Sequence, residues 1–358
     1  MLRHVPNILP RVLWPVLLLG LSACTRQSPP VSTDGALSTI SPPSDGAIVL
    51  VGNSRGASVA AFDLATGGSR GLFVDVGSGG LQNPDSLTWS PEGDLLVSSG
   101  CPTTADVLCD PMIPSQVLRY RGDTGAFVDV FASEADSPLY RPYGKAFGPD
   151  GMLYVASFAS DTILRFDGST GAYVDTFATA PAPDMRQPGD LNGPNGVSFG
   201  PDGMLYVTTE GSISIDGVIT FPGLPSQTLR YDIATGEKTV AVTPAAPEGG
   251  QTPSLVGVFF DSEGALITTD FMNEVVTTYD ATSLPVAAWS ADPEDAIESA
   301  YCGYGEAQPD GSVLVALGDL TDDSVGAITI AGPTGRTLVP LGPALQRPMG
   351  LTVRPARP

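Results

Sequence analysis

The chain has 358 residues, of which 42 are glycine and 34 proline, and only 16% are charged. That mix excludes a coiled coil or helical bundle, which would be rich in Ala, Glu, Lys and Leu, while 42% hydrophobic residues exclude wholesale disorder. A net charge of -22 repels phosphate backbones, so no nucleic-acid partner is expected; cationic ligands and divalent metals stay compatible with it.

The chain opens on Arg3 and Arg11, an apolar run from Val12 to Leu21, and then Leu21-Ser22-Ala23-Cys24. The run is about ten residues, half of the roughly 20 that a membrane span needs. A basic start, a short apolar stretch and small residues before a cut mark a signal peptide over 1–23. Small residues followed at once by cysteine resemble the bacterial lipobox. That resemblance implies a diacylated Cys24 at the mature amino end, and membrane attachment through lipid alone; the alternative is an ordinary signal peptide with Cys24 by chance. The chain's one histidine, His4, leaves with such a leader. A mature chain without histidine has no Ser-His-Asp or Cys-His machinery and no His-ligated metal site. Residues 24–46 are dominated by Ser, Thr and Pro and carry no apolar period, the composition of a flexible tether.

From Ala47 onward the sequence repeats. FGPDGMLYV occurs from Phe147 and again from Phe199, with weaker copies WSPEGDLLV from Trp89, FDSEGALIT from Phe260 and AQPDGSVLV from Ala307. Each reads as strand, tight turn, strand. A second signature follows each: VLRYRGDTGAFVDVF from Val117, ILRFDGSTGAYVDTF from Ile163 and TLRYDIATGEKTVAV from Thr228, with weaker forms from Val59 and Val276. The unit is therefore four short antiparallel strands, A to D. Full units are expected at about 81–131, 139–179, 191–243, 253–290 and 299–340. Residues 47–76 offer B, C and D strands only, and LQRPMGLTVRP from Leu345 offers an A strand with nothing after it. The two ends complete one unit between them. The expected fold class is all-β: a six-bladed propeller over 47–358, closed by its own termini and free of open edges.

Aligned A strands give two columns. One holds Ser86, Gly144, Gly196, Gly257, Gly305 and Gly350, small residues where six strands crowd the axis. The column before it holds Asp85, Tyr143, Asn195, Val256, Tyr304 and Met349, expected to ring the channel mouth. B-strand ends add Glu210, Asp270 and Asp319, and Arg141 and Arg347 each precede a proline at an A-strand start. Two long B–C loops, about 99–116 and 210–227, open on the same face. Loops on a rigid scaffold tend to carry function, so ligand contact is expected at Asp85, Tyr143, Asn195, Glu210, Asp270, Tyr304, Arg141 and Arg347.

The repeats resemble NHL-type six-bladed propellers, and the Pro-x-Gly and Phe-Gly-Pro-Asp-Gly-x-Leu-Tyr-Val phrasing is close to the streptogramin lyase-like and gluconolactonase-like branches. The resemblance covers about 47–355. Lyase chemistry uses a histidine base, which the mature chain lacks. The gluconolactonase likeness implies a divalent metal, calcium or another, at the mouth. Asn195 in PNGVSFGPDG matches that family's phrase and Asp85 is a second oxygen donor, but Val256, Met349, Tyr143 and Tyr304 fill the other slots. The expectation is no cofactor, with Asp85 and Asn195 as the metal ligands if one is held.

Other recurring residues read as structure. Arg119, Arg165 and Arg230 are C-strand positions; Phe62, Tyr120, Phe166, Tyr231 and Tyr279 form a packing column between blades; Asp319, Asp322 and Asp323 form a solvated loop. Cys101 and Cys109 share one loop of an exported protein, where a disulfide is expected. Cys302 is left as a small buried residue, or as a partner for either of them. The expected function is a binding module, lipid-anchored outside the cytoplasm at the outer membrane, periplasm or cell surface, with an envelope protein, peptide or glycan at its mouth. The alternatives are a metal-dependent lactonase or esterase and a structural envelope protein.

Overall fold

The computed structural model describes residues 47–100, 113–292, 296–322, 324–332, 335–341 and 345–354. Cys24, Cys101 and Cys109, with the lipid and disulfide expectations they carry, lie outside the described residues.

Six four-stranded antiparallel sheets make up the fold. Blade 1 joins β1 (Ile48–Asn53), β2 (Ser58–Asp63) and β3 (Ser69–Val74) to the last strand, β26 (Pro348–Val353), in the order β26-β1-β2-β3. Blade 2 is β4 (Leu87–Trp89), β5 (Leu95–Ser99), β6 (Gln116–Tyr120) and β7 (Phe127–Ser133). Blade 3 is β8 (Pro142–Phe147), β9 (Met152–Ser157), β10 (Thr162–Asp167) and β11 (Tyr173–Thr179). Blade 4 uses β12 (Pro194–Phe199), β13 (Leu205–Thr209), β16 (Gln227–Tyr231) and β17 (Lys238–Val242), with the hairpin β14 (Ile213–Ile215) and β15 (Val218–Thr220) inserted. Blade 5 is β18 (Leu255–Phe260), β19 (Leu266–Asp270), β20 (Val275–Tyr279) and β21 (Pro285–Ser290). Blade 6 is β22 (Ala300–Ala307), β23 (Val313–Asp319), β24 (Gly326–Gly332) and β25 (Gly335–Pro340).

The expected closure is present: Val51 pairs with Leu351, Leu50 with Thr352 and Val49 with Val353. The repeated turns follow from their aspartates. In the A–B turns, Asp150 Oδ1 accepts from Met152 N and Oδ2 from Tyr154 OH; Asp202 does the same with Met204 N and Tyr206 OH. In the C–D turns, Asp63 and Asp167 each take the amide and hydroxyl of a threonine three residues on, the Asx turn that short polar side chains favour. The arginine column is tied down too: Arg119 grips Asp129 and Arg165 grips Asp175 across the C–D ladder, and Arg230 reaches Asp202.

Among the described residues, six apolar clusters lie one between each pair of neighbouring blades. Val51 and Phe62 of blade 1 meet Leu314 and Ile328 of blade 6, for example, and Tyr154 and Ile163 of blade 3 meet Val207 and Tyr231 of blade 4. All five members of the expected aromatic column are buried: Phe62, Tyr120, Phe166, Tyr231 and Tyr279. A blade alone would expose both of its apolar faces, so stability is shared around the ring.

One expected alignment is corrected by a residue. Gly305 pairs with Val315 as Lys145 pairs with Val155 and Val197 with Val207. The carbonyl of Gly303, not that of Tyr304, receives the Thr269 hydroxyl, as Val256 O receives Thr208 Oγ1 and Tyr143 O receives Ser98 Oγ. Gly303 thus stands beside Asp85, Tyr143, Asn195, Val256 and Met349, and Tyr304 takes the place given to Gly305 among the small residues. The ladder of blade 6 slips between Cys302 and Gly305 as those of blades 3 and 4 do between Pro142 and Lys145 and between Pro194 and Val197, and AQPDG from Ala307, set on FGPDG from Phe147, gives the same register.

Crowding at the axis explains the small column. A Cβ on Gly144 would meet Asn195 O at 2.5 Å, on Gly196 Val256 O at 2.3 Å, and on Gly350 Asp85 O at 2.4 Å. Gly196→Ala is expected to lower the unfolding free energy by about 1–3 kcal/mol, the usual range for overpacking, as read by urea denaturation. Deleting residues 345–358 bares the β1 edge, and the cooperative melting transition should be lost with it.

Candidate ligand-binding mouth

The mouth is built where A strands begin and B strands end. Four A strands are entered through a residue and a proline: Asn83-Pro84, Arg141-Pro142, Gly193-Pro194 and Arg347-Pro348. All four leading residues have positive φ, at 45°, 54°, 68° and 58°. Glycine and asparagine take that conformation readily; arginine does so at a steric cost of roughly 1–2 kcal/mol. The two arginines are held there with their side chains at the mouth.

A cavity of about 500 Å³ occupies one side of this face. Arg141, Tyr143, Asn195, Glu210, Tyr304 and Arg347, six of the eight residues expected to contact ligand, border it. Its apolar wall comes from Phe158, Ile219, Phe221, Val256, Phe271 and Met349. Asp85 is only 3% exposed. It is not part of the cavity lining and accepts from Ser54 Oγ. Asp270 is used differently. Its Oδ1 accepts from Ser254 N, Met272 N and Asn273 N, and its Oδ2 from Asn273 Nδ2. It belongs to a column of B-strand ends that hold the amide leading into the paired A strand, with Asn53, Ser99, Ser157 and Asp319 as the other members. Its carboxylate therefore orders the loop that carries Phe271 and Met272 to the cavity.

A chain of hydrogen bonds crosses the mouth. Tyr304 OH donates to Asn195 Oδ1, and Asn195 Nδ2 donates to Glu210 Oε1. Beneath, Tyr304 also borders a second cavity of about 300 Å³, ringed by Leu87, Lys145, Val197, Val258, Gly305 and Leu351. Five small neighbours in its column leave room for this one ring, which divides the channel into an upper cup and a lower pocket. Lys145 is 3% exposed; its ammonium donates to Ser86 O at 2.8 Å and to Ser98 Oγ at 3.0 Å.

Burial sets the electrostatics. It raises the Asp85 carboxyl above its usual range, offset by Arg347, the Ser54 hydrogen bond, Arg141 and Lys145. It also raises Glu210, offset by the Asn195 hydrogen bond, Arg141 and Arg347, with Asp85 adding repulsion. Lys145 is pushed well down by burial, and Asp85 opposes the shift. Arg141 is 4% exposed. Its guanidinium lies 5.2 Å from the Tyr143 ring centre and 5.0 Å from that of Phe158.

The metal ligands suggested by resemblance offer a poor cage. Asn195 Oδ1 is taken by a tyrosine hydroxyl and one Asp85 oxygen by a serine. The countercharges of Asp85 and Glu210 are guanidinium groups, which repel a cation. Among the described residues no group of three or more His, Cys, Asp or Glu converges as a metal site. Calcium asks for about six to eight oxygens, more than Asp85 and Asn195 leave free.

Sequence reasoning took 210–227 as a loop and missed the β14–β15 hairpin that roofs the cavity. Its anchor is Asp161, whose Oδ2 accepts from Ser214 N and from Arg186 at 2.8 Å, and whose Oδ1 accepts from Gly193 N. The alternation ISI-DG-VIT from Ile213 was the signal for it. Phe158, Ala159 and Tyr143 pack under Ile219 of this hairpin. Cys302 is buried and has no disulfide partner among the described residues; its Sγ donates to Asp270 O.

No family model matches the chain, and no curated protein matches it. Solved structures similar to it include a chain of a nidogen/laminin complex, at TM-score 0.57 and 11% identity over 86% of this chain and 98% of that one. A protein of unknown function from Bacteroides caccae gives TM-score 0.54 at 10% identity, over 87% and 99% of the two chains. A proposed 6-phosphogluconolactonase from Bacteroides uniformis gives 0.52 at 14%, over 87% and 100%. At such identities the likeness is one of fold, and the fold is the six-bladed β-propeller.

Glu210 supplies a test of the electrostatics. Its folded pKa lies above the unfolded one because burial disfavours the charge. The folded state then binds the proton more tightly, and stability falls as pH rises through the unfolded and then the folded pKa. Glu210→Gln keeps an acceptor for Asn195 and cannot ionise. It should melt higher than wild type at pH 8 and converge with it below about pH 4, as followed by thermal melts across that range.

Proposed function

We propose that this propeller is a ligand-binding module working outside the cytoplasm, with its ligand seated in the mouth cavity. The cavity carries the reading. Its 500 Å³ falls within the roughly 300–1,000 Å³ usual for ligand sites, and an apolar wall with a few convergent polar groups is their usual chemistry. The rim adds exposed apolar side chains, Ile215, Val218 and Phe221, which a protein, peptide or glycan partner would cover. The chain from a nidogen/laminin complex is a precedent for the architecture in protein assemblies, at the level of fold. Leu21-Ser22-Ala23-Cys24 supports attachment to a bacterial membrane through lipid at Cys24, and an envelope component as the partner.

Binding should be weakened at least ten-fold by Phe221→Asp, on the rim, and left unchanged by Glu92→Lys, in an A–B turn on the opposite face. Surface-plasmon or calorimetric titration of captured ligand reads the difference, and equal binding by the two variants would reject the mouth. Calcium and chelator are expected to leave the melting temperature unmoved. A calcium-dependent rise that Asp85→Ala or Asn195→Ala abolishes would favour the lactonase reading instead.

A further inference from the structure

We infer that the mouth cavity recognises a monocarboxylate carried on an apolar stem, its acid group docked on Arg141 beside Arg347. The inference rests on the mouth being the binding site and names the chemistry it selects. Arg141 is 4% exposed and its Nε, sealed from solvent, has no hydrogen-bond partner. A buried donor left bare is expensive, about 1–3 kcal/mol and more for a charged group. The chain shows what this edge of an arginine is for. Arg119 Nε and Nη2 hold the two oxygens of Asp129, and Arg165 holds Asp175 in the same fork. Arg141 borders the cavity and, among the described residues, grips no carboxylate.

Charge at the mouth favours a singly charged acid. Asp85 faces Arg347, Arg141 and Lys145, and Glu210 faces Arg141 and Arg347. Arg141, Arg347 and Glu210 border the cavity, in a chain whose net charge is -22. A phosphate dianion would meet more repulsion from Asp85 and Glu210 than a single carboxylate would. The guanidinium fork matches a planar carboxylate in two parallel hydrogen bonds. Beyond the arginines the wall is Phe158, Ile219, Phe221, Val256, Phe271 and Met349, which fits a stem without further charge. The backbone also holds Arg141 and Arg347 at φ 54° and 58° where the equivalent residues are Asn83 and Gly193, so no relief of strain accounts for arginine at either place.

The test uses matched pairs of probes and the full chain. Calorimetry compares 4-phenylbutanoate with 4-phenylbutanamide, and acetyl-Leu-Phe with its C-terminal amide, to separate a free organic acid from a peptide carboxyl end. At least one acid should bind ten-fold or more tighter than its own amide, and the tighter acid identifies the source. Arg141→Asn suits the backbone, since Asn83 occupies the equivalent position. It should erase the preference for acid while amide binding stays, and Arg141→Lys should restore part of it. Equal binding of acid and amide by wild type overturns the carboxylate and leaves the mouth standing as a site. A preference that survives in Arg141→Asn overturns the role of Arg141. Binding of neither acid rejects the inference, and the Phe221→Asp comparison then decides separately whether the mouth binds at all. The wild-type comparison holds whether or not the variants fold.

Discussion

At the centre of the ring, backbone meets backbone. Gly144, Gly196 and Gly350 sit where an added carbon would stand 2.3–2.5 Å from a carbonyl oxygen of the next blade. That closeness fixes how far the six inner strands converge, and so the width of the channel. It also dictates what fills the channel. Five small residues in one layer leave space for a single large side chain, and β22 of blade 6 supplies Tyr304. Close packing at the axis and a closed floor under the cup have one cause.

Charge at the mouth follows from the same architecture. Polar groups carried to the inner ends of the strands are desolvated by the neighbouring blades. Asp85 and Glu210 are raised and Lys145 is lowered for that reason. Such groups are tolerated when they answer one another, as Asp161 and Arg186 do behind the hairpin. At the mouth, Arg141 Nε is buried without a hydrogen-bond partner.

The fold was legible because its period was written in turns. Pro-Asp-Gly and Asp-x-x-Thr-Gly fix the backbone locally, through hydrogen bonds within four residues of each aspartate, so their spacing counts blades directly. The missing first A strand and the orphan Leu345–Val353 segment located the closure, which the Val51–Leu351 pairing confirms. The site was less legible. Matching glycine to glycine sets Gly305 with Gly350, whereas matching the turn phrase AQPDG from Ala307 to FGPDG from Phe147 sets Tyr304 with Gly144, as the ladder has it. Asp270 and Glu210 look alike as acids one residue apart in the repeat, yet one is absorbed by its own loop and the other faces the cavity. Asp161 and Arg186 lie 25 residues apart in separate loops, and only the folded chain brings them together.

Closure from both extremities also settles where the chain enters and leaves. Strand β1 begins at Ile48 beside Val353, and Arg354 N bonds to Ile48 O. The mouth ends of these strands are Asn53 and Pro348. Entry and exit therefore share the rim on the far side from the cup. A reporter, an affinity handle or a solid support joined directly before Ile48 or after Arg354 would meet the wheel from behind, on the face away from the mouth cavity.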